Sequence, residues 1–361
     1  MKRCPTTASK ATVLLVLLAC SGVLLAGPGN KAPADPNAQG HPFKAGERVV
    51  FLGDSITQDG RYVAFVQLYF WAKYPELNLE VVNLGLSAET VNGQSEPTSR
   101  GTRPYIFERL GPALQAGKGN WVFVCYGMND GLYRPPSLEI LGSYTAGLRR
   151  LVRRIARTGA KTILLTPPPF DAETKRLRRR KLVPAGAGDY TYGTPYEHYD
   201  DVLEVFAAFV RGLGGERGVE RVIDLHAPVE QYVRKTRKKA GTYLFGDGVH
   251  PPIDGHLAMA LTILAGLGED AAAAEKLLTG LTGIALYPPG PGSNEPRPQP
   301  TPLLGALLKR HGAISAAYRN HSRGSTRGKP LAEAVELAKQ QEAEIRRMLA
   351  PAGQPAPKPA Q

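Results

Sequence analysis

Five short apolar runs constrain this chain more than any other feature: RVVFLG (Arg48 to Gly53), LEVVNLG (Leu79 to Gly85), WVFVCYG (Trp121 to Gly127), KTILLT (Lys161 to Thr166) and RVIDL (Arg221 to Leu225). Runs this rich in β-branched residues suit strands buried on both faces, and parallel strands need crossovers between them. The intervening segments have helical spacing. In SYTAGLRRLVRRIARTG, Leu148, Leu151, Val152 and Ile155 form one stripe, Arg149, Arg150, Arg153 and Arg154 the opposite face, and Gly159 a stop. Five such alternations predict an α/β fold: a doubly wound, five-stranded parallel sheet with helices on both sides. Sheets of this kind place ligands beyond the carboxyl ends of their strands, so residues just after each run are the candidates for chemistry.

The ends of the chain have a different composition. Residues 1–26 put Lys2, Arg3 and Lys10 ahead of an apolar stretch from Ala11 to Ala26 that is short for a membrane span, and they read as an export signal. Leu17-Leu18-Ala19-Cys20 loosely matches a lipidation site, which would make the protein a lipoprotein through Cys20. The apolar stretch runs on past that cysteine, which favours simple cleavage near Ala26 and a periplasmic or extracellular location. Residues 27–45 read as a flexible linker, 46–270 as the folded domain, 271–330 as an irregular extension with a proline-rich linker, 331–350 as a C-terminal helix and 351–361 as a disordered tail. After simple cleavage only Cys125 remains, inside a strand run, so no disulfide framework is expected within the chain.

The net charge of +13 draws much from KRLRRRK (Lys175 to Lys181) and RKTRKK (Arg234 to Lys239). No aromatic-interleaved motif accompanies these runs, so solvated faces are favoured over specific nucleic-acid recognition. Acidic polysaccharide or membrane headgroups suit such a charge, with the membrane expected as a partner only if Cys20 carries lipid. The segment 167–201 is long, basic and rich in tyrosine, and reads as an insertion or flap near the site. Its Tyr190, Tyr192, Tyr196 and Tyr199 suit ordinary packing and a stacking platform for sugar rings or acyl chains about equally well.

Four blocks fall where chemistry is expected. Gly53-Asp54-Ser55-Ile56 follows the first run, and Ser55 there serves equally as a nucleophile or as a helix N-cap. Asn83-Leu84-Gly85-Leu86-Ser87 ends the second, where Gly85 can offer an unobstructed backbone N–H to a developing oxyanion. Tyr126-Gly127-Met128-Asn129-Asp130 ends the third, where Asn129 can offer a side-chain N–H. In the last block, Phe245 to Pro251, Asp247 stands three residues before His250 and can fix that ring's tautomer. His256 falls at the start of the following helix and reads as a capping residue or a support behind the site, ahead of a substitute for His250. No HExxH pair or ligand-spaced histidine and cysteine set is present, so neither a metal nor another cofactor is expected.

Taken together, order and spacing of these blocks resemble those of the SGNH, or GDSL-type, hydrolase superfamily over about Glu47 to Leu267, with Ile56 where many members have leucine. The resemblance implies a flavodoxin-like three-layer α/β/α sandwich and hydrolysis of carboxylic esters. It further implies Ser55 as nucleophile, His250 as base, Asp247 as its orienting acid, and the Ser55 N–H, Gly85 and Asn129 as oxyanion donors, with Asp54 structural. The Gly-x-Ser-x-Gly elbow of α/β-hydrolases is absent. The expected substrate is a short-chain acyl ester, an acetyl group on a polysaccharide above others. A lysophospholipase or thioesterase using the same residues is the rival enzyme. A catalytically silent carbohydrate-binding or envelope protein on the same fold is the rival of another class.

Overall fold

The computed structural model describes residues 40–97, 101–289 and 299–349. The export signal with Cys20 and the C-terminal tail therefore lie outside the described residues. Five parallel strands form one sheet in the order β2-β1-β3-β4-β5. They are β1 (Arg48–Gly53), β2 (Glu80–Asn83), β3 (Trp121–Cys125), β4 (Lys161–Leu165) and β5 (Val219–Ile223). All five overlap the apolar runs: β1 matches its run, the other four end one or two residues short of theirs where the chain turns off the sheet, and β5 begins two residues earlier. Every residue of β3 is buried, as the unbroken apolar run requires, and Phe51 of β1 stacks on Phe123 of β3 at 4.6 Å. At one edge, β5 has one partner, exposes Glu220 and only half-buries Arg221 and Val222, so it is the least covered of the five strands.

From β1 the chain steps to β2 on one side and then crosses to β3 on the other, so the order reverses around β1. The crevice outside the carboxyl ends of β1 and β3 is thus the topological switch point, and Gly53 and Cys125, the last residues of those strands, lie in register. The short α1 (Ser55–Asp59) follows β1 directly, and α2 (Arg61–Lys73) follows at once. Helix α3 (Ile106–Gly117) precedes β3 and α4 (Leu138–Ala156) follows it. In α4 the leucine, valine and isoleucine stripe is buried and the four arginines face solvent, as the spacing predicts.

Two expectations about the edges of the domain require correction. The folded region begins before residue 46: Phe43 is buried, its ring 5.2 Å from Phe70 and 5.5 Å from Trp121, and the Gly46 N–H donates to the Leu77 carbonyl. Nor is 271–330 an irregular extension. After α5 (Ala172–Leu177), α6 (Tyr199–Gly212), α7 (His226–Ala240) and α8 (Ile253–Leu267), the chain forms α9 (Ala271–Thr282) and α10 (Pro302–Ser322), capped by Asp270 and Thr301. Helix α10 packs on α2, α3 and β2 and carries α11 (Leu331–Leu349) on its outer side. Its helical pattern is hidden because polar residues share the buried face. Arg310 lies over the Trp71 ring at 5.0 Å and donates to the Ala338 carbonyl at 2.9 Å, and His311 Nε2 is 3.1 Å from Asn83 Nδ2.

Candidate active site

The polar turn after β1 divides two duties between neighbours. Asp54 is the N-cap of α1, its buried carboxylate accepting the Ile56 N–H at 2.9 Å, and Ser55 is the first helical residue. The Ser55 hydroxyl is therefore not consumed by capping. It lies 2.8 Å from His250 Nε2, and His250 Nδ1 lies 2.9 Å from Asp247 Oδ2. The structure thus brings together three side chains from the two ends of the domain. The loop that holds Asp247 is fixed locally, because its other oxygen, Oδ1, accepts the backbone N–H groups of Val249 at 2.8 Å and His250 at 2.7 Å.

Electrostatics favour a charged Asp247 beside the His250 ring. Burial works against ionisation of Asp247, yet the hydrogen bonds from the His250 ring, the two backbone N–H groups and the Tyr192 hydroxyl hold its carboxyl well below the usual carboxylate range. For His250, burial lowers the pKa, and the Asp247 carboxylate outweighs it, with the Asp54 charge adding to the rise and Lys175 opposing it. Asp54 itself is pushed up to about 6 by burial. Cys125 is buried, and burial also pushes its thiol well up, as expected of an inert core residue.

Asn129 is aimed by its neighbours. Its Oδ1 accepts from Arg103 Nη1 at 2.9 Å and from the Tyr133 hydroxyl at 3.2 Å; since a guanidinium can only donate, the amide's NH2 must face the other way. One of its two N–H groups makes a long 3.4 Å contact to the Glu89 carbonyl, which leaves the other for a ligand. Gly85 is not placed as expected. Its N–H already donates to Asn83 Oδ1 at 2.8 Å, and the glycine is required for another reason: a Cβ there would sit 2.4 Å from the Gln58 backbone nitrogen, so only glycine lets β2 end this close to α1.

Three residues further on, Ala88 adopts a left-handed φ of +63°, and its N–H, like that of Ser55, has no acceptor among the described residues. The Ala88 carbonyl accepts from Arg103 Nη1 at 3.4 Å, the same atom that holds Asn129 Oδ1, so Ala88 and Asn129 flank one guanidinium. Glu96 in turn pairs with Arg103 through Nε at 2.8 Å and through Nη2. Ala88, Arg103 and Tyr133 were not singled out by sequence reasoning. Of these only the tyrosine carried a signal, its nearness in sequence to Asn129.

The remaining candidates separate cleanly. His256 is not a cap: it lies fully buried in the first turn of α8 with its ring stacked on Tyr62, and burial pushes its pKa down to about 3, so it is neutral. Of the four tyrosines in the insertion, Tyr196 and Tyr199 are core residues and Tyr190 bonds within the insertion to the Pro184 carbonyl. Only Tyr192 reaches the site. Among the described residues no group of three or more His, Cys, Asp or Glu side chains could hold a metal ion.

This geometry has recognisable relatives. The sequence matches the family model for the GDSL-like Lipase/Acylhydrolase family over residues 51–258. An acetylxylan esterase of Geobacillus stearothermophilus is 28% identical over 246 residues, which cover 62% of this chain and 95% of that protein. Among solved structures, a gut microbial diltiazem-metabolizing enzyme is similar with a TM-score of 0.50 at 21% identity. The match covers 64% of this chain and 48% of that one, so the chain spans about half the length of that enzyme and shares its fold. A catalytic mutant of an acetylxylan esterase from Geobacillus stearothermophilus is similar at 26% identity with a TM-score of 0.46, covering 63% of this chain and 97% of that one.

Proposed function

The chain belongs to the GDSL-like lipase/acylhydrolase family and is a carboxylic ester hydrolase of the SGNH superfamily, and on that premise we propose that it is an exported serine esterase that removes short acyl groups, acetyl first among them, from a polysaccharide. The observation that carries the chemistry is the unbroken relay from Ser55 Oγ through His250 to Asp247, with distances of 2.8 and 2.9 Å. His250 Nε2 takes the Ser55 proton as Oγ bonds to the ester carbonyl carbon. The oxyanion is held by the N–H groups of Ser55 and Ala88 and by Asn129 Nδ2, with Ala88 replacing Gly85 in that role. Collapse expels the alcohol, which leaves with the proton from His250. Water then adds to the acyl-Ser55 ester with the same base, releasing the acid and restoring the hydroxyl.

The substrate reading is supported by the similarity to an acetylxylan esterase and by the polar side chains near the relay, Tyr192 on Asp247 with Lys175 over its ring, and Arg103 and Tyr133 on Asn129. Export rests on the pattern of residues 1–26. Chain-length profiling tests the acyl preference: with purified protein, kcat/KM is expected to be highest on acetyl or propionyl esters and to fall steadily toward palmitoyl. A maximum beyond octanoyl would instead favour the lysophospholipase or thioesterase reading.

The pH profile tests the base. Only the neutral ring accepts the Ser55 proton, and the His250 pKa is raised above its ordinary 6.5. The logarithm of kcat/KM should therefore fall with unit slope as pH drops through a limb above 6.5 and level off on the alkaline side. A limb well below 6.5 would be at odds with His250 as the base.

A further inference from the structure

The insertion 167–201 lies at the site, and one of its residues touches the relay. Tyr192 stands at the apex of a tight turn, Thr191 to Thr194, in which the two threonines exchange backbone hydrogen bonds and Thr191 Oγ1 accepts the N–H groups of Gly193 and Thr194 at 3.2 Å each. The base of this turn is anchored to the core, because the Tyr196 N–H donates to the Tyr133 carbonyl at 2.8 Å and Val183 exchanges backbone hydrogen bonds with Pro195 and Glu197. An aromatic side chain 40% exposed would ordinarily direct its hydroxyl to water. The Tyr192 hydroxyl donates instead to Asp247 Oδ2, the same oxygen that accepts from His250 Nδ1.

Two further contacts hold the ring there. It meets Tyr133 edge-on with centroids 5.8 Å apart, and Tyr133 is the residue that donates to Asn129. On its other side Lys175 Nζ lies 4.6 Å from the ring centroid, while the lysine stem packs where a Cβ on Gly248 would fall 3.1 Å from Lys175 Cγ. The His250 ring is 5.8 Å from that of Tyr192. One insertion residue therefore touches the acid, lies beside the base, and reaches the oxyanion side through Tyr133.

We propose that Tyr192 is a positioning residue that sets the strength of the Asp247–His250 pair by sharing Asp247 Oδ2 with the imidazole. This rests on the reading of Ser55, His250 and Asp247 as the catalytic relay. A hydroxyl donated to the carboxylate withdraws negative charge from the oxygen facing Nδ1, so the protonated ring is held less tightly than by Asp247 alone. The other charged or titratable groups facing His250 are Asp54 at the α1 cap, Lys175 on α5 and the neutral His256 on α8, and none of them touches that oxygen. The insertion thereby keeps the base closer to neutral pH than the bare acid–base pair would.

Tyr192→Phe in the full chain tests this, since it removes the hydroxyl and keeps the ring. With a p-nitrophenyl acetate assay, the acidic limb of kcat/KM is expected to move up by about half a pH unit, while the plateau falls no more than a few-fold. A limb at its original pH would overturn the proposal, whether activity is unchanged or reduced equally at every pH, as a merely structural role would give. Titration of the His250 ring by NMR in both proteins reads the same shift without turnover. If the wild-type protein hydrolyses no ester, the catalytic reading fails while the Tyr192 coupling is still decided by that titration, with an unshifted ring counting against it.

Discussion

Replacing Ser55 with alanine is expected to abolish ester hydrolysis, lowering kcat on the order of a million-fold, the scale on which an isolated nucleophile is lost from a serine relay. The substitution removes only the Oγ that lies 2.8 Å from His250 Nε2. The cap of α1 is untouched because Asp54 supplies it, and the Ser55 N–H, one of the proposed oxyanion donors, remains. The fold should therefore survive, with a circular dichroism spectrum and melting temperature close to those of the parent. A fluorophosphonate probe should label the parent at Ser55 and leave the variant unlabelled. Residual hydrolysis above about one part in a thousand would point to another nucleophile, because donors and binding alone give only about a thousand- to ten-thousand-fold over water. A parent that neither reacts with the probe nor turns over any ester would favour the silent binding protein.

Much of this centre was legible because its parts are local. Asp247 and His250 are three residues apart on one loop, and Ser55 and Asn129 follow runs that could only be buried strands, so sheet topology brings them to one crevice. The candidate oxyanion donor after β2 differs from the expectation for a specific reason. Gly85 looked like an unobstructed N–H, yet what selects glycine there is the approach of the Gln58 backbone, and the free donor belongs to Ala88, a non-glycine residue held at positive φ. Arg103 was hidden because Asn129 lies 26 residues away in sequence, and Tyr192, legible only as a packing or stacking residue, did not reveal its contact because Asp247 lies 55 residues away. Helix α10 was hidden because Arg310, His311 and Ser315 are buried beside its leucines, which breaks the polar and apolar periodicity on which a helix is recognised.

The second large effect concerns the support behind the oxyanion side, where Arg109→Met is expected to destabilise the protein by about 3–5 kcal/mol. Arg109 sits on α3, and its guanidinium grips the Glu89 carboxylate through Nε and Nη2 at 2.6 Å each while Nη2 also donates to the Leu84 carbonyl at 2.7 Å. Glu89 is completely buried and accepts the Tyr126 hydroxyl at 2.6 Å, so the pair ties α3 to the ends of β2 and β3 in the segment that carries Ala88 and meets Asn129. Desolvation already raises the Glu89 pKa, with Arg109 opposing the rise. Without the guanidinium the carboxyl is left buried with one neutral donor, and it must either remain charged at high cost or take up a proton. The loss should appear as a fall in melting temperature of roughly 10 °C and a lower urea midpoint with an unchanged m-value. If the cost lies in the stranded charge rather than in lost packing, Arg109→Met combined with Glu89→Leu should recover a large part of the stability. A double variant no more stable than the single one would place the cost in the contacts of Arg109 with Leu84 and α10 instead, and a single variant within 1 kcal/mol of the parent would show that the pair is not structurally decisive.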